Sequence, residues 1–248
     1  MATVLIVIQV AGCDSGIPEM YGVKVDEEQF AGPDTLGLKA SGQPVKGLIV
    51  YFHGSDQSSR VIAEDRRHTD YFDPFLRAGY AVVAADAEGN AYGNLKSRAD
   101  YRRLISAAQQ KYIAGPVFFV AESMGALAAL ALISEDTTRQ IKGMVAISPL
   151  MGLPPEAESL SYVADAWGGK IPTNADPLDW PPDAFADRLF RLHAAKDDNV
   201  IPPVVSAQAF ADKFGSVADI EIMPCEGGHV ALSCYQGPHD EEWISRIR

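Results

Sequence analysis

The chain has 248 residues, and 21 Lys and Arg against 33 Asp and Glu give it a formal charge of −12 with its five histidines neutral. That excess of acid argues against nucleic acid as a partner, because phosphate binding is supplied by Lys and Arg. With 47% hydrophobic and 22% charged residues and no long biased tract, the composition excludes disordered, collagen-like and disulfide-dense classes.

No apolar stretch reaches the roughly 18 residues of a membrane span. The chain opens on MATVLIVIQVAGC, an apolar run ending in small residues and a cysteine, followed by Asp14-Ser15-Gly16. Val10-Ala11-Gly12-Cys13 resembles the lipobox of bacterial lipoproteins. The resemblance implies a signal over residues 1–12, a lipid on Cys13, a linker over 13–21, and an exported protein anchored at the outer face of a bacterial plasma membrane. The alternative is an edge β-strand of a cytoplasmic protein, since VLIVI has high β-propensity.

From residue 22 onward, short apolar runs alternate with segments of helical period. The pattern predicts strands over residues 22–27, 35–39, 47–52, 81–85, 117–121, 143–148, 189–194 and 220–224. Helices are predicted over 60–78, 95–112, 124–133, 204–214 and 240–248. This is the form of one α/β domain, a mainly parallel sheet covered by helices on both faces. Residues 149–187 interrupt it with seven of the 16 prolines and two of the three tryptophans. So many prolines preclude a regular crossover helix throughout, and the segment is expected to form a small cap over the carboxyl edge of the sheet.

The sharpest local signal is Val117-Phe118-Phe119-Val120-Ala121-Glu122-Ser123-Met124-Gly125-Ala126, a β-run entering a tight turn with an Ala-rich helix leaving it. Small residues at 121 and 125 let strand and helix approach closely, and Ser123 at the apex would stand exposed at a helix N-terminus that favours developing negative charge. This stretch resembles the nucleophile elbow of the α/β-hydrolase family, with Ala121 where the pattern G-x-S-x-G has its first glycine. Gly47-Leu48-Ile49-Val50-Tyr51-Phe52-His53-Gly54-Ser55 resembles the family's third strand and His-Gly turn. The resemblance implies an oxyanion hole built from the N–H groups of Ser55 and Met124, with Gly54 the alternative to Ser55 and His53 structural.

A serine hydroxyl needs a base and an orienting acid. His229, in Pro224-Cys225-Glu226-Gly227-Gly228-His229, resembles the family's final Gly-His loop and is expected to be the base. Leu192-His193-Ala194-Ala195-Lys196-Asp197-Asp198-Asn199-Val200 resembles the family's acid-bearing turn, and matching residue by residue makes Asp197 the acid in preference to Asp198. His68 and His239 are expected to be solvated, His193 to be bonded locally at a strand end, and Asp86 to be structural. The order Ser, Asp, His is that of this fold.

Cys225 and Cys234 bracket His229 and are a candidate disulfide that would restrain its loop; the alternative is two buried thiols. No zinc or nucleotide motif occurs and no cofactor or metal is called for. The resemblance implies a serine hydrolase acting on small carboxylic esters through an acyl-enzyme. An acyltransferase, thioesterase or small peptidase would use the same residues, and a noncatalytic binding protein on the same scaffold is the remaining alternative. The cap aromatics Tyr162, Trp167, Trp180 and Phe185 hint at an apolar acyl group.

Overall fold

In the computed structural model, residues 22–247 are described except 31, 33, 113, 114 and 155. The signal, the linker and Cys13 therefore lie outside the described residues. The strands are β1 (Val25–Glu28), β2 (Thr35–Ala40), β3 (Gly47–Phe52), β4 (Tyr80–Ala85), β5 (Val117–Glu122), β6 (Ile141–Ile147), β7 (Leu189–Ala195) and β8 (Asp219–Cys225). They form one sheet in the order β1-β2-β4-β3-β5-β6-β7-β8. β1 and β2 pair antiparallel, as do β2 and β4, and the other pairs are parallel.

The central strands are apolar on both faces because helices cover both. Along β3, Leu48, Val50 and Phe52 face one core with α3 (Leu95–Tyr112), α4 (Gly125–Glu135) and α6 (Ala207–Phe214). Ile49 and Tyr51 face the other, with α1 (Val61–Glu64), α2 (Arg66–Arg77) and α7 (Gly237–Arg246). Helix α4, read as GALAALALI, is buried on all sides up to Ile133, as a helix clamped between sheet and neighbours must be. The single helix expected over 60–78 is two, because Asp65 is extended (φ −95°, ψ 122°) and its side chain accepts the Arg67 N–H as the cap of α2.

Residues 149–187 hold α5 (Ser161–Ala166) and two 3₁₀ turns, Pro177–Asp179 and Pro182–Phe185. Prolines at the first positions of those turns leave no N–H wasted. Phe185 is fully buried against Phe190, Phe210 and Phe214 in the domain core, and Trp180 packs on it at 5.8 Å. These rings build the core, so the hint that they receive an acyl group does not hold for them; of the four aromatics, Tyr162 is the exposed one, at 55%.

Register brings the strand ends to one rim. Phe52 pairs with Ala121, Glu122 with Ile147, Ile147 with His193, and Ala195 with Cys225. The segments that follow β3, β5, β6, β7 and β8 thus leave the sheet side by side.

Candidate active site

Ser123 follows β5 in the left-handed region, φ +49°, a conformation that costs a non-glycine residue roughly 1–3 kcal/mol. The surroundings impose it. Its N–H donates to the Ile147 carbonyl at 2.9 Å, and its carbonyl accepts from Leu150 at 2.9 Å and Ala126 at 3.2 Å. Gly125 is required by close approach, since a Cβ there would lie 2.3 Å from the Phe52 carbonyl oxygen. The seat is tighter than an open apex, and Ser123 is 7% exposed.

The Ser123 hydroxyl lies 2.9 Å from His229 Nε2. His229 Nδ1 lies 2.7 Å from Asp198 Oδ2, so the carboxylate facing the imidazole is that of Asp198 and not Asp197. The reason is where β7 stops. The strand runs to Ala195, and the Asp198 N–H donates back to the Ala195 carbonyl at 3.1 Å. That turn puts Lys196 and Asp197 at its exposed tip and returns Asp198 to the interior, 3% exposed. Asp198 Oδ1 is held by the N–H groups of Val200 (2.9 Å) and Ile201 (2.8 Å), leaving Oδ2 for the histidine.

The N–H groups of Ser55 and Met124 donate to no protein acceptor among the described residues. The two residues touch through Ser55 Oγ and Met124 Sδ, 3.8 Å apart. Gly54 is excluded as the donor because its N–H is taken by Gln57 Oε1 at 3.0 Å. His53 is bonded through both ring nitrogens to backbone carbonyls, Gly54 at 2.7 Å and Asp86 at 2.8 Å, and Asp86 accepts the Ser59 N–H at 2.6 Å. Both residues shape the turn.

The His229 loop leaves β8 at Cys225 and is closed by a bond between Cys225 and Cys234. Inside it, the Val230 N–H donates to Ser148 Oγ at 3.0 Å and the Val230 carbonyl accepts from Arg67 at 3.2 Å. A loop of this length closed by a disulfide is stabilised by about 2–3 kcal/mol through the entropy removed from the unfolded chain.

Two residues that the sequence assigned a minor place, His68 and His193, and one that it did not single out, Tyr92, are part of this neighbourhood or of its support. His68 is 1% exposed rather than solvated, with Nε2 2.9 Å from Glu122 Oε2. His193 is bonded to Asp240, far along the chain, with Nε2 2.9 Å from both carboxylate oxygens. Tyr92, with φ +46°, stacks near Tyr162 at 5.7 Å; burial raises its phenol above the ordinary value, opposed by the Ser55 hydroxyl beside it. His239 is exposed.

Among the described residues no group of three or more His, Cys, Asp or Glu is placed to hold a metal ion, and no helix is long and apolar enough to cross a membrane.

An eight-stranded, mainly parallel sheet with a strained serine between strand and helix, and His and Asp delivered from the last two strand ends, defines a serine hydrolase of the α/β-hydrolase fold. Residues 43–221 match the family described as serine aminopeptidase, S33, and the chain belongs to that family. Its fold is shared with TT1662 from Thermus thermophilus (TM-score 0.67, 16% identity, 91% of this chain and 99% of that one). It is shared too with the Pyrococcus furiosus esterase Pf2001 (0.63, 20%, 90% and 89%). The acylaminoacyl peptidase of Pyrococcus horikoshii matches at 0.67 and 11% identity, over 90% of this chain and 42% of its own length. No curated protein matches the sequence.

Proposed function

We propose that the protein hydrolyses carboxylic esters through an acyl-enzyme on Ser123. The observation that carries this reading is the continuous relay Ser123–His229–Asp198, at 2.9 and 2.7 Å, beside two unengaged backbone N–H groups. In the first step Ser123 Oγ attacks the acyl carbon while His229 Nε2 takes its proton, and Asp198 holds Nδ1–H so that Nε2 is the accepting nitrogen. The tetrahedral oxyanion is received by the N–H groups of Ser55 and Met124, each worth roughly 3–4 kcal/mol in such sites. His229 then protonates the leaving alcohol, and a water activated by the same nitrogen releases the acid. Incubation with a fluorophosphonate and assay on short p-nitrophenyl esters test the reading: covalent label on Ser123 and turnover are expected, and absence of both in folded protein overturns it.

A second reading, a peptidase releasing an N-terminal residue, is supported by the family's description. Aminoacyl p-nitroanilides included in the same assay separate the two substrate classes.

We further propose export with a lipid on Cys13, supported by Val10-Ala11-Gly12-Cys13 and by the Cys225–Cys234 bond, which suits an oxidising compartment. Mass spectrometry of protein recovered from cell membranes is expected to show a chain beginning at a lipid-modified Cys13. Cys225 and Cys234 should react with alkylator only after reduction. An unmodified chain beginning at Met1 would overturn the proposal.

A further inference from the structure

Glu122 stands immediately before the serine, where the elbow pattern places no demand on chemistry, yet its side chain is buried at 2% exposure. An isolated carboxylate in such a place would be costly, and this one is surrounded by donors. His68 Nε2 lies 2.9 Å and the Tyr51 hydroxyl 3.1 Å from Oε2, the Tyr235 hydroxyl donates to the same oxygen, and Gln57 Nε2 donates to Oε1. Burial pushes the Glu122 carboxyl up, but the hydrogen bonds from His68, Tyr235 and Tyr51 outweigh it and hold the group below its ordinary value. It is therefore a carboxylate at neutral pH.

Its partners belong to the two loops that complete the site. Gln57, while donating to Glu122, accepts the Gly54 N–H at 3.0 Å through its own oxygen and so fixes the turn that aims the next N–H, that of Ser55. Glu122 also lies directly under this turn: a Cβ on Gly54 would stand 2.8 Å from Glu122 Oε1. Tyr235 follows Cys234, the far anchor of the His229 loop. Arg67, 3.5 Å from the Tyr235 hydroxyl, reaches the Val230 carbonyl next to His229.

We infer that Glu122 is a positioning residue, one buried carboxylate that ties the Ser55 turn through Gln57 and the His229 loop through Tyr235 to the strand end carrying Ser123. The inference rests on the hydrolase reading for its catalytic consequence, while the mechanical coupling stands apart from it. Glu122→Gln keeps the shape but removes the charge that strengthens every one of these hydrogen bonds and sets an amide NH₂ against one set of donors, so both attachments weaken. The expected result is a fall in kcat of about 10- to 100-fold, the size of a sub-ångström misalignment, with KM within about twofold.

The experiment pairs steady-state kinetics with residue-resolved amide hydrogen exchange on the full chain. Exchange in Glu122→Gln should rise about tenfold in both 54–57 and 229–235, as for loss of one hydrogen bond to a charged group, and stay unchanged in α3. Tyr235→Phe, at a half-buried position, should loosen 229–235 alone and leave 54–57 as before. Unchanged kcat and exchange in Glu122→Gln would overturn the inference. So would a rise spread evenly over both loops and α3, which is what loss of global stability alone produces. A parent protein that turns over no ester, combined with the two-loop exchange pattern, would leave the coupling supported and overturn the hydrolase reading instead.

Discussion

Replacing Asp198 by Asn is expected to lower kcat/KM on an activated ester by about 10³- to 10⁴-fold, whereas Asp197→Asn changes it by less than about twofold. The contrast follows from the lone pairs each oxygen of Asp198 must supply. Oδ1 accepts from the N–H groups of Val200 and Ile201, and Oδ2 faces His229 Nδ1. An asparagine has a single acceptor oxygen, and two backbone N–H groups hold it on the Oδ1 side. Its NH₂ then points at the imidazole. His229 must offer Nδ1 as an acceptor, which moves the ring proton to Nε2, and a protonated Nε2 cannot take the proton of Ser123. Asp197 lies at the exposed tip of the turn, so its neutral counterpart removes only a solvated charge. Both variants should keep the parent's unfolding midpoint, and comparable losses in the two would discard the relay drawn above.

The second large effect is on stability. Asp240 is 0% exposed, accepts the Tyr71 hydroxyl at 3.0 Å, faces His193 Nε2 at 2.9 Å and lies 3.6 Å from Arg191. This cluster fastens α7 to β7 and α2. Among the described residues His193 Nδ1 is already without a partner. Asp240→Ala would strand the other ring nitrogen and the Tyr71 hydroxyl in the interior, a loss of about 3–5 kcal/mol. Against total stabilities of about 5–15 kcal/mol that is a large share. Urea titration should show a midpoint lower by about 1–2 M with similar slope. His239→Ala, one residue away but exposed, should shift stability by no more than about 0.5 kcal/mol. Equal effects from the two would mean that the buried cluster contributes nothing.

Much of the architecture was legible because its cause is local. Leu48-Ile49-Val50 and Phe118-Phe119-Val120 are apolar without alternation, which only a strand covered on both faces tolerates, and they are strands. Ser123 and His229 were legible because strand, turn and glycines mark them in the chain, and the structure brings them to 2.9 Å.

What was misread depends on distance or on one residue of phase. Asp197 and Asp198 differ only in where β7 ends, and one added strand residue, Ala195, reverses which carboxylate turns inward. The charged neighbours of His68 suggested a surface. Yet His68, Tyr71, Phe72 and Phe75 share one helical stripe, and that spacing was the available signal of burial. The partner of His193 lies in α7 and that of Glu122 in three separate segments, which no local pattern announces.

The left-handed backbone at Ser123 has a consequence for where reactivity resides. Cut out as a peptide, the segment around Ser123 would relax to right-handed or extended geometry, since within it only the 3.2 Å bond from the Ala126 N–H to the Ser123 carbonyl opposes the relaxation. The opposition comes from Ile147 and Leu150 beyond the elbow and from the Phe52 carbonyl that excludes a side chain at Gly125. The hydroxyl is therefore presented only once three non-adjacent stretches have docked. A nascent or half-collapsed chain is thereby kept chemically silent until its interior is complete.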